Sequence, residues 1–265
     1  MSRPLIALLT DFGTLDHYVG TMKGVMLGIC PEATLVDITH DVPPHDVRIA
    51  ARQLAAACRY FPAGTVFLVV VDPGVGSSRR GLAVDTGDYR FVAPDNGVLG
   101  AVLDELPPRR IVELTERKFA LPTVSRTFEG RDRFAPAAAW LARGAAITTL
   151  GRGVTAPVRL DWPSPTERPD GVDGEVELVD RFGNLVTNIG RAAVERLLRG
   201  GGIDIAAGGH AVAHLVDTYA DVPAGAVCAL FGSSDRLEIA VSGGSAAAHL
   251  ALGTGAAVQL RRAAL

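Results

Sequence analysis

Short, almost wholly apolar runs recur through the first 150 residues and constrain the fold more than any other feature of the sequence. The clearest is TVFLVVVD (65–72), which is β-branched and apolar up to its final aspartate. Runs of this kind are typical of parallel strands that are buried on both faces. Between them, segments such as 17–30 repeat apolar residues at helical spacing. This alternation predicts an α/β layer domain with a mostly parallel sheet.

The pattern changes near residue 150. The stretch GRGVTAPVRLDWPSPTERPDGVDG contains four prolines and several glycines, which is typical of a surface linker. Beyond it helical patterns nearly vanish, and short strand-like runs such as EVELVD, LVTNIG, HAVAHLV and RLEIAVS alternate with turn residues. We therefore predict two domains, an N-terminal α/β domain at 1–165 and a C-terminal, all-β, barrel-like domain at 172–265.

Composition and charge exclude several classes of protein. Hydrophobic residues make up 48% of the chain, enough for a sizeable core, and 26 basic against 29 acidic residues argue against a nucleic-acid partner. No apolar run reaches the roughly 18 residues needed to cross a bilayer, and the N-terminus lacks the features of a signal peptide. The three cysteines are far apart and the histidines show no metal-binding spacing. The sequence predicts a cytoplasmic protein without a metal, a membrane or a nucleic acid.

Polar residues follow several of the predicted strands. Asp11 ends the first strand, Asp37 and His40 end the second, Asp72 ends the central one, and Asp95 follows YRFVAP. Ligands bind at this edge of open α/β sheets. A single aspartate there can simply cap the next turn, but four at one edge predict a functional cleft.

Seven motifs, which occur in order along nearly the whole chain, resemble those of a known enzyme family. They are LLTDFGTLDHYVGTMKGVM, ITHDVPPHDVRIAA, FPAGTVFLVVVDPGVGSSRRGLAV, APDNGVL, TFEGRDRFAPAAAWLA, DRFGNLVTNI and GSSDRLEIAVSGGSAA. Together they resemble the S-adenosylmethionine (SAM) hydrolases, or SAM hydroxide adenosyltransferases, which are related to fluorinases and chlorinases. The resemblance implies attack of water or hydroxide at C5′ of the ribose, giving adenosine and L-methionine. It also implies that SAM is the substrate, that no cofactor is needed, and that a homotrimer forms its sites at subunit interfaces.

The resemblance assigns residues to the ribose and methionine parts of the substrate. Asp11 would bind the ribose diol, because a carboxylate accepts hydrogen bonds from both hydroxyls. Asp16, Asp180 and Ser233 match positions that hold the methionine end. Ser234 stands where fluorinases have an arginine, so binding of the methionine carboxylate would depend more on backbone groups.

Other positions match contacts to the adenine. Asn184 and the backbone near Gly243 would bind the edge of the base, and Phe182 and Tyr219 could stack on it. For both aromatic residues the alternative is an ordinary place in the barrel core. His45 falls where fluorinases place an aromatic residue over the ligand, so we expect it to line the pocket.

The nucleophile side distinguishes the reactions of this superfamily. Asp72 stands where the halogenases carry a tyrosine, and a carboxylate there would repel halide and orient or deprotonate water. The hydrolases combine this aspartate with an arginine, here Arg79, and with the histidine of a TFHGRD motif. This chain reads TFEGRD, so Glu129 replaces the histidine. We expect a catalytic trio of Asp72, Arg79 and Glu129 in which proximity and burial raise the pKa of one carboxyl. With a raised pKa, Glu129 would accept a proton from water or position the water. Alternatively, Glu129 only pairs with an arginine or begins the helix predicted at 131–143.

These residues predict hydrolysis of SAM and leave two alternatives. The replacement of histidine by Glu129 is also compatible with a catalytically silent protein that binds SAM or adenosine. A SAM-dependent halogenase is the third hypothesis, and Asp72 argues against it.

Overall fold

The computed structural model describes residues 3–263. The chain divides into two compact units, Met1–Leu160 and Asp161–Leu265. In the first unit the main elements are, in order, β1 (Leu5–Thr10), α1 (Tyr18–Ile29), β2 (Thr34–Thr39), α2 (Val47–Cys58), β3 (Val66–Val70), β4 (Gly81–Asp85), β5 (Arg90–Pro94), α3 (Gly100–Glu105), β6 (Arg110–Leu114), α4 (Ala135–Ala142) and β7 (Gly151–Gly153).

The strands of the first unit form one sheet in the order β2-β1-β3-β5-β4-β6-β7. β1 pairs in parallel with β2 and β3, and β3 pairs in parallel with β5. β4 is antiparallel to both β5 and β6, so β6 points the same way as β5, and β7 runs opposite to β6. Five of these seven strands therefore share one direction, which confirms the prediction of a mostly parallel sheet. The carboxyl ends of β1 and β3 lie side by side.

The segment 17–30, with its apolar residues at helical spacing, forms α1 as predicted. Asp46 caps α2, because its side chain accepts a hydrogen bond of 2.9 Å from the backbone N–H of Ile49. The helix predicted at 131–143 consists of two parts, a π-helical turn over Gly130–Phe134 followed by α4. Pro136 lies in the first turn of α4 and has no N–H, so the carbonyl of Asp132 instead accepts from the backbone of Leu121 at 2.8 Å.

Over residues 161–263, the described part of the second unit contains eight strands and two short α-helices. These are β8 (Thr166–Arg168), β9 (Gly171–Val179), β10 (Leu185–Gly190), α5 (Arg191–Leu198), β11 (Ile203–Ala207), β12 (His210–Val212), β13 (Val227–Phe231), β14 (Arg236–Val241), α6 (Ala246–Leu250) and β15 (Ala257–Arg262). The sheet has the order β12-β11-β15-β9-β10-β14-β13, with β8 paired to β9, and the pairings are antiparallel. The predicted combination of an α/β domain and a barrel-like β domain is confirmed.

The second unit differs from the prediction in two details. Only His210–Val212 of the run HAVAHLV forms a strand. The helices α5 and α6 were not predicted, although Ala193, Val194 and Leu197 form a buried face at helical spacing. Within residues 3–263, no helix is long and apolar enough to cross a membrane.

Candidate active site

A pocket of about 290 Å³ opens at the edge of the first sheet where β1 and β3 end. Its polar lining includes Asp11, His45, Asp72 and Glu129, so four of the predicted site residues lie around one cavity. The apolar wall contains three aromatic rings in edge-to-face contact, with centroids 5.1 to 5.9 Å apart; these are Phe12, Tyr18 and Phe128. The strand ends thus bring charged groups from distant parts of the sequence to one small, partly apolar site.

Arg79 joins Asp72 and Glu129 directly. Its Nε donates to Oδ1 of Asp72 at 2.9 Å, and its Nη2 lies 2.5 Å from Oδ2 of Asp72 and 2.5 Å from Oε2 of Glu129. Oδ2 of Asp72 and Oε2 of Glu129 are therefore at most about 5 Å apart, because each lies 2.5 Å from Nη2 of Arg79. The side chains of Asp72, Arg79 and Glu129 are only 6%, 9% and 13% exposed, respectively. The predicted trio is therefore present as a buried ionic contact.

The pKa of Asp72 is raised above that of a free aspartate. Burial raises the pKa of this carboxyl and the nearby Glu129 raises it further, while the hydrogen bond and positive charge of Arg79 oppose the rise. Its Oδ2 touches Arg79 but accepts no well-aligned hydrogen bond from residues 3–263. A carboxyl with a raised pKa and an acceptor oxygen at a pocket wall is suited to take a proton from a bound molecule.

Arg133 is a fourth charged member of this site, and the sequence analysis did not name it. Its Nη1 donates to Oε1 of Glu129 at 3.0 Å, and its Nη2 donates to the carbonyl of Leu114 at 2.7 Å. The spacing of four residues between Glu129 and Arg133 was a visible signal, since such pairs meet on a helical turn. We call Asp72, Arg79, Glu129 and Arg133 the ionic cluster.

Asp11 and His45 are joined through the backbone. The N–H of His45 donates to Oδ2 of Asp11 at 2.8 Å. His45 adopts a left-handed conformation with φ +69°, which is uncommon for a residue other than glycine. This contact fixes one oxygen of Asp11 at the pocket.

Other predicted residues at this edge lie outside the pocket lining. Asp16 is exposed on the surface. Asp37 pairs with Lys23 at 2.6 Å, and the buried Asp95 pairs with Arg80 at 2.5 Å. Of the four aspartates that the sequence places at this edge, Asp11 and Asp72 line the cavity, while Asp37, which lies within β2, and Asp95 are held in structural ion pairs.

The second unit has a larger pocket of about 930 Å³. Six of the predicted residues line it, namely Asp180, Phe182, Asn184, Tyr219, Ser233 and Gly243. Ser234 follows Ser233 but is outside the lining. Phe182 is 77% exposed and Tyr219 is 43% exposed, so neither ring belongs to the core of the sheet.

A line of hydrogen bonds runs along this pocket. Asp180 accepts from the backbone N–H groups of Phe182 at 2.9 Å and Asn184 at 2.8 Å. The amide Nδ2 of Asn184 donates to Asp180 at 2.9 Å and to the hydroxyl oxygen of Tyr219 at 3.5 Å. The Tyr219 hydroxyl in turn donates to Oε2 of Glu238 at 3.3 Å. These contacts orient the side chains for which the resemblance to the family predicts contacts with adenine and methionine.

Glu238 is a pocket residue that the sequence analysis missed. It is 7% exposed, and burial raises the pKa of its carboxyl. The hydrogen bond from Tyr219 opposes this rise, and the charge of Asp180 adds a smaller contribution to it. In RLEIAVS the alternation of polar and apolar residues gives no sign that this glutamate is buried.

Metal ligation has no evident place in either pocket. Among the residues that the structure describes, no cluster of three or more histidine, cysteine, aspartate or glutamate side chains could hold an ion. The charged groups of the first pocket are instead used in contacts with one another.

Comparison with known proteins gives the same family along both units. The SAM hydroxide adenosyltransferase N-terminal domain matches residues 6–151, and the C-terminal domain of the same family matches residues 174–259. A crystal structure of an uncharacterized conserved protein from Thermotoga maritima superposes with a TM-score of 0.92 at 38% identity, covering 97% of this chain and 100% of that one.

Curated relatives agree with these matches. An (R)-S-adenosyl-L-methionine hydrolase from Thermus thermophilus is 42% identical, over 96% of this chain and 98% of that protein. A protein of the same name from Salinispora tropica is 41% identical over 92% of both chains. A fluorinase from Actinoplanes is more distant, at 33% identity over 73% of this chain and 74% of that protein. The resemblance seen in the sequence is thus confirmed, and the chain belongs to the SAM hydroxide adenosyltransferase family.

Proposed function

We propose that this protein hydrolyses S-adenosyl-L-methionine to adenosine and L-methionine. The observation that carries the proposal is Asp72, a buried carboxyl with a raised pKa that faces the pocket at the end of β3. The curated hydrolases at about 40% identity support the same reaction.

In the proposed step, a water molecule attacks C5′ of the ribose opposite the C5′–S bond. A proton leaves the water for the Asp72 carboxylate as the new C5′–O bond forms. The C5′–S bond breaks, and its electron pair goes to the sulfonium, which becomes the neutral thioether of methionine. No acid is needed on the leaving side, so alignment and removal of bulk water are the main tasks of the protein. Arg79 holds Asp72 through two nitrogens and thereby fixes the direction of its oxygens.

The remaining site residues bind the substrate in this proposal. Asp11 accepts hydrogen bonds from the ribose diol beside His45, and Asp16 and Asp180 face the ammonium group of the methionine end. Ser233 binds its carboxylate, with Ser234 and the adjacent backbone in place of an arginine.

The pocket of the second unit receives the base in this assignment. Asn184 and the backbone at Gly243 contact the adenine edge, and the exposed rings of Phe182 and Tyr219 stack on its face. The ribose and nucleophile site and the methionine contact of Asp16 thus belong to the domain at 1–165, and the adenine contacts and the other methionine contacts belong to the domain at 172–265.

A homotrimer with sites at subunit interfaces and a cytoplasmic location are further parts of the proposal. Both follow from the sequence and its resemblance to the family. The molar mass of the purified protein, measured by light scattering, tests the trimer.

Halide transfer is disfavoured at this site. Asp72 places a carboxylate where an attacking anion would have to lie, and its negative charge opposes a second anion at close range. A silent SAM-binding protein is the remaining alternative.

Incubation of the protein with SAM in halide-free oxygen-18 water, read by mass spectrometry, tests the proposal. We expect adenosine with one heavy oxygen together with unlabelled L-methionine. Unlabelled adenosine would exclude attack by solvent water at C5′. Intact SAM recovered on the protein would favour the silent binder.

A further inference from the structure

Glu129 contributes a second negative charge next to Asp72, and Arg79 alone cannot neutralise both carboxylates. Its guanidinium contacts Oδ2 of Asp72 and Oε2 of Glu129 through the same nitrogen. With only these three residues the site would carry a net negative charge in a place where the side chains are largely removed from water. Such a charge would hold Asp72 protonated and unable to accept a proton.

Arg133 supplies the missing positive charge. It contacts the oxygen of Glu129 that Arg79 does not, at 3.0 Å, so each oxygen of Glu129 has its own guanidinium. Its other nitrogen is fixed by the Leu114 carbonyl at the end of β6. The ionic cluster then holds two carboxylates and two guanidiniums and is neutral.

This arrangement differs from an ordinary exposed pair on a helix. Exposed pairs four residues apart contribute little to stability, because both side chains remain in water. Glu129 is 13% exposed, and Arg133 is partly buried at 24% and is anchored at a second point. Removing one partner of a buried pair leaves an uncompensated charge, so the effect is transmitted to the neighbouring groups.

We infer that Arg133 is a positioning residue of the reaction: it neutralises and orients Glu129, so that Asp72 is ionised and free to receive the proton from water. The inference rests on the proposed function, and it explains how this chain accommodates a glutamate where the family motif has a histidine. Besides Arg79 and Glu129, the ionisable groups around the pocket of Asp72 are Asp11, His45 and Tyr18.

Three variants test the inference in the full-length protein. Arg133→Met removes the charge, Arg133→Lys retains it, and the double variant Glu129→Gln/Arg133→Met removes one charge of each sign. Arg152→Met is a matched control, since Arg152 also pairs with a glutamate, Glu113, at 2.9 Å but is itself 74% exposed. Should Arg133→Met not fold, Arg133→Gln makes the same charge change and can still donate to Leu114.

The primary measurement is the titration of Asp72 by carbon-13 NMR of labelled aspartate carboxyls, with its signal assigned by Asp72→Asn. In Arg133→Met we expect the midpoint to move to higher pH by about one unit, because the cluster becomes negative. Arg133→Lys and the double variant should return it close to the wild-type value, and Arg152→Met should leave it unchanged.

In Arg133→Met, the pH below which kcat for SAM hydrolysis falls should also move to higher pH, while the KM for SAM changes less than about twofold. A folded Arg133→Met protein whose Asp72 titrates as in the wild type overturns the inference, as does a double variant that keeps the displaced midpoint. If the wild type does not hydrolyse SAM, the proposed function fails, but the NMR titration still decides whether Arg133 controls the ionisation of Asp72.

Discussion

The pockets of the two units differ in how their polar groups are held. In the pocket of about 290 Å³, the charged side chains of the ionic cluster are fixed against one another at 2.5 to 3.0 Å. In the pocket of about 930 Å³, the polar groups form a line of neutral and charged hydrogen bonds beside two exposed aromatic rings.

This difference indicates that the two pockets have different roles, one in the chemical step and the other in substrate binding. A small site with preset charges can stabilise charge that develops during a reaction without reorganising. A wide site with exposed rings offers surface for binding a planar group. We therefore expect changes in the first pocket to lower kcat and changes in the second to raise the KM for SAM.

Asp72→Asn should have the largest effect. The amide keeps the shape of the side chain but cannot take a proton from water, so kcat for SAM hydrolysis should fall by about a thousandfold, within the usual range for loss of a general base. Binding of SAM, measured by isothermal titration calorimetry, should change much less than kcat.

Asp37→Asn is the matched control, because Asp37 lies in the neighbouring strand β2 but pairs with Lys23 outside the pocket. Its kcat should stay within about twofold of the wild-type value. Full turnover in Asp72→Asn would remove Asp72 from the reaction and with it the contrast between the two pockets.

Gly232→Ala should affect the second pocket more moderately. A Cβ at this position would collide with the carboxyl of Glu238, so this carboxyl, which accepts the hydrogen bond of the Tyr219 hydroxyl, must move. We expect the KM for SAM to rise about tenfold with kcat within about twofold, the pattern of lost uniform binding.

Steady-state kinetics measure this split, and Gly253→Ala is the control, since a Cβ there meets no atom within 4 Å. A fall in kcat at unchanged KM would mean that the second pocket takes part in the chemical step. The proposed division between the pockets would then be wrong.

Much of the framework was predictable because it is encoded locally. The β-branched run of β3 and the cap at Asp46 depend on neighbouring residues, and the parallel strands then place Asp11 and Asp72 at one edge. The assignment of Arg79 and Glu129 came from the resemblance to the family, since 50 residues separate them and spacing alone cannot bring them together.

Glu238 shows what local patterns miss. In β14 it alternates with Leu237 and Ile239, which is the pattern of a residue on a solvent-exposed face. It is buried nevertheless, and its partner Tyr219 lies outside the strand. Its burial depends on contacts with residues outside β14, so the alternation of polar and apolar residues along the strand cannot predict it.

Glu238→Gln should have the smallest effect and should appear in stability. The pKa of Glu238 is raised in the folded protein, so the folded state binds this proton more tightly than the unfolded chain does. The resulting stabilisation is fully present below the unfolded pKa of glutamate and is lost as the pH rises through the folded pKa. At neutral pH the buried charge therefore costs free energy, and glutamine, which has the same shape and no charge, avoids that cost.

We expect Glu238→Gln to be more stable than the wild type at neutral pH, by on the order of 1 kcal/mol, with the difference vanishing below about pH 4. Thermal unfolding at a series of pH values measures this, and the exposed Glu195→Gln should show no such trend. A variant that is less stable at neutral pH would mean that the hydrogen bond from Tyr219 outweighs burial. The second pocket would then resemble the first, as a site where a fixed ionised carboxylate is part of the structure.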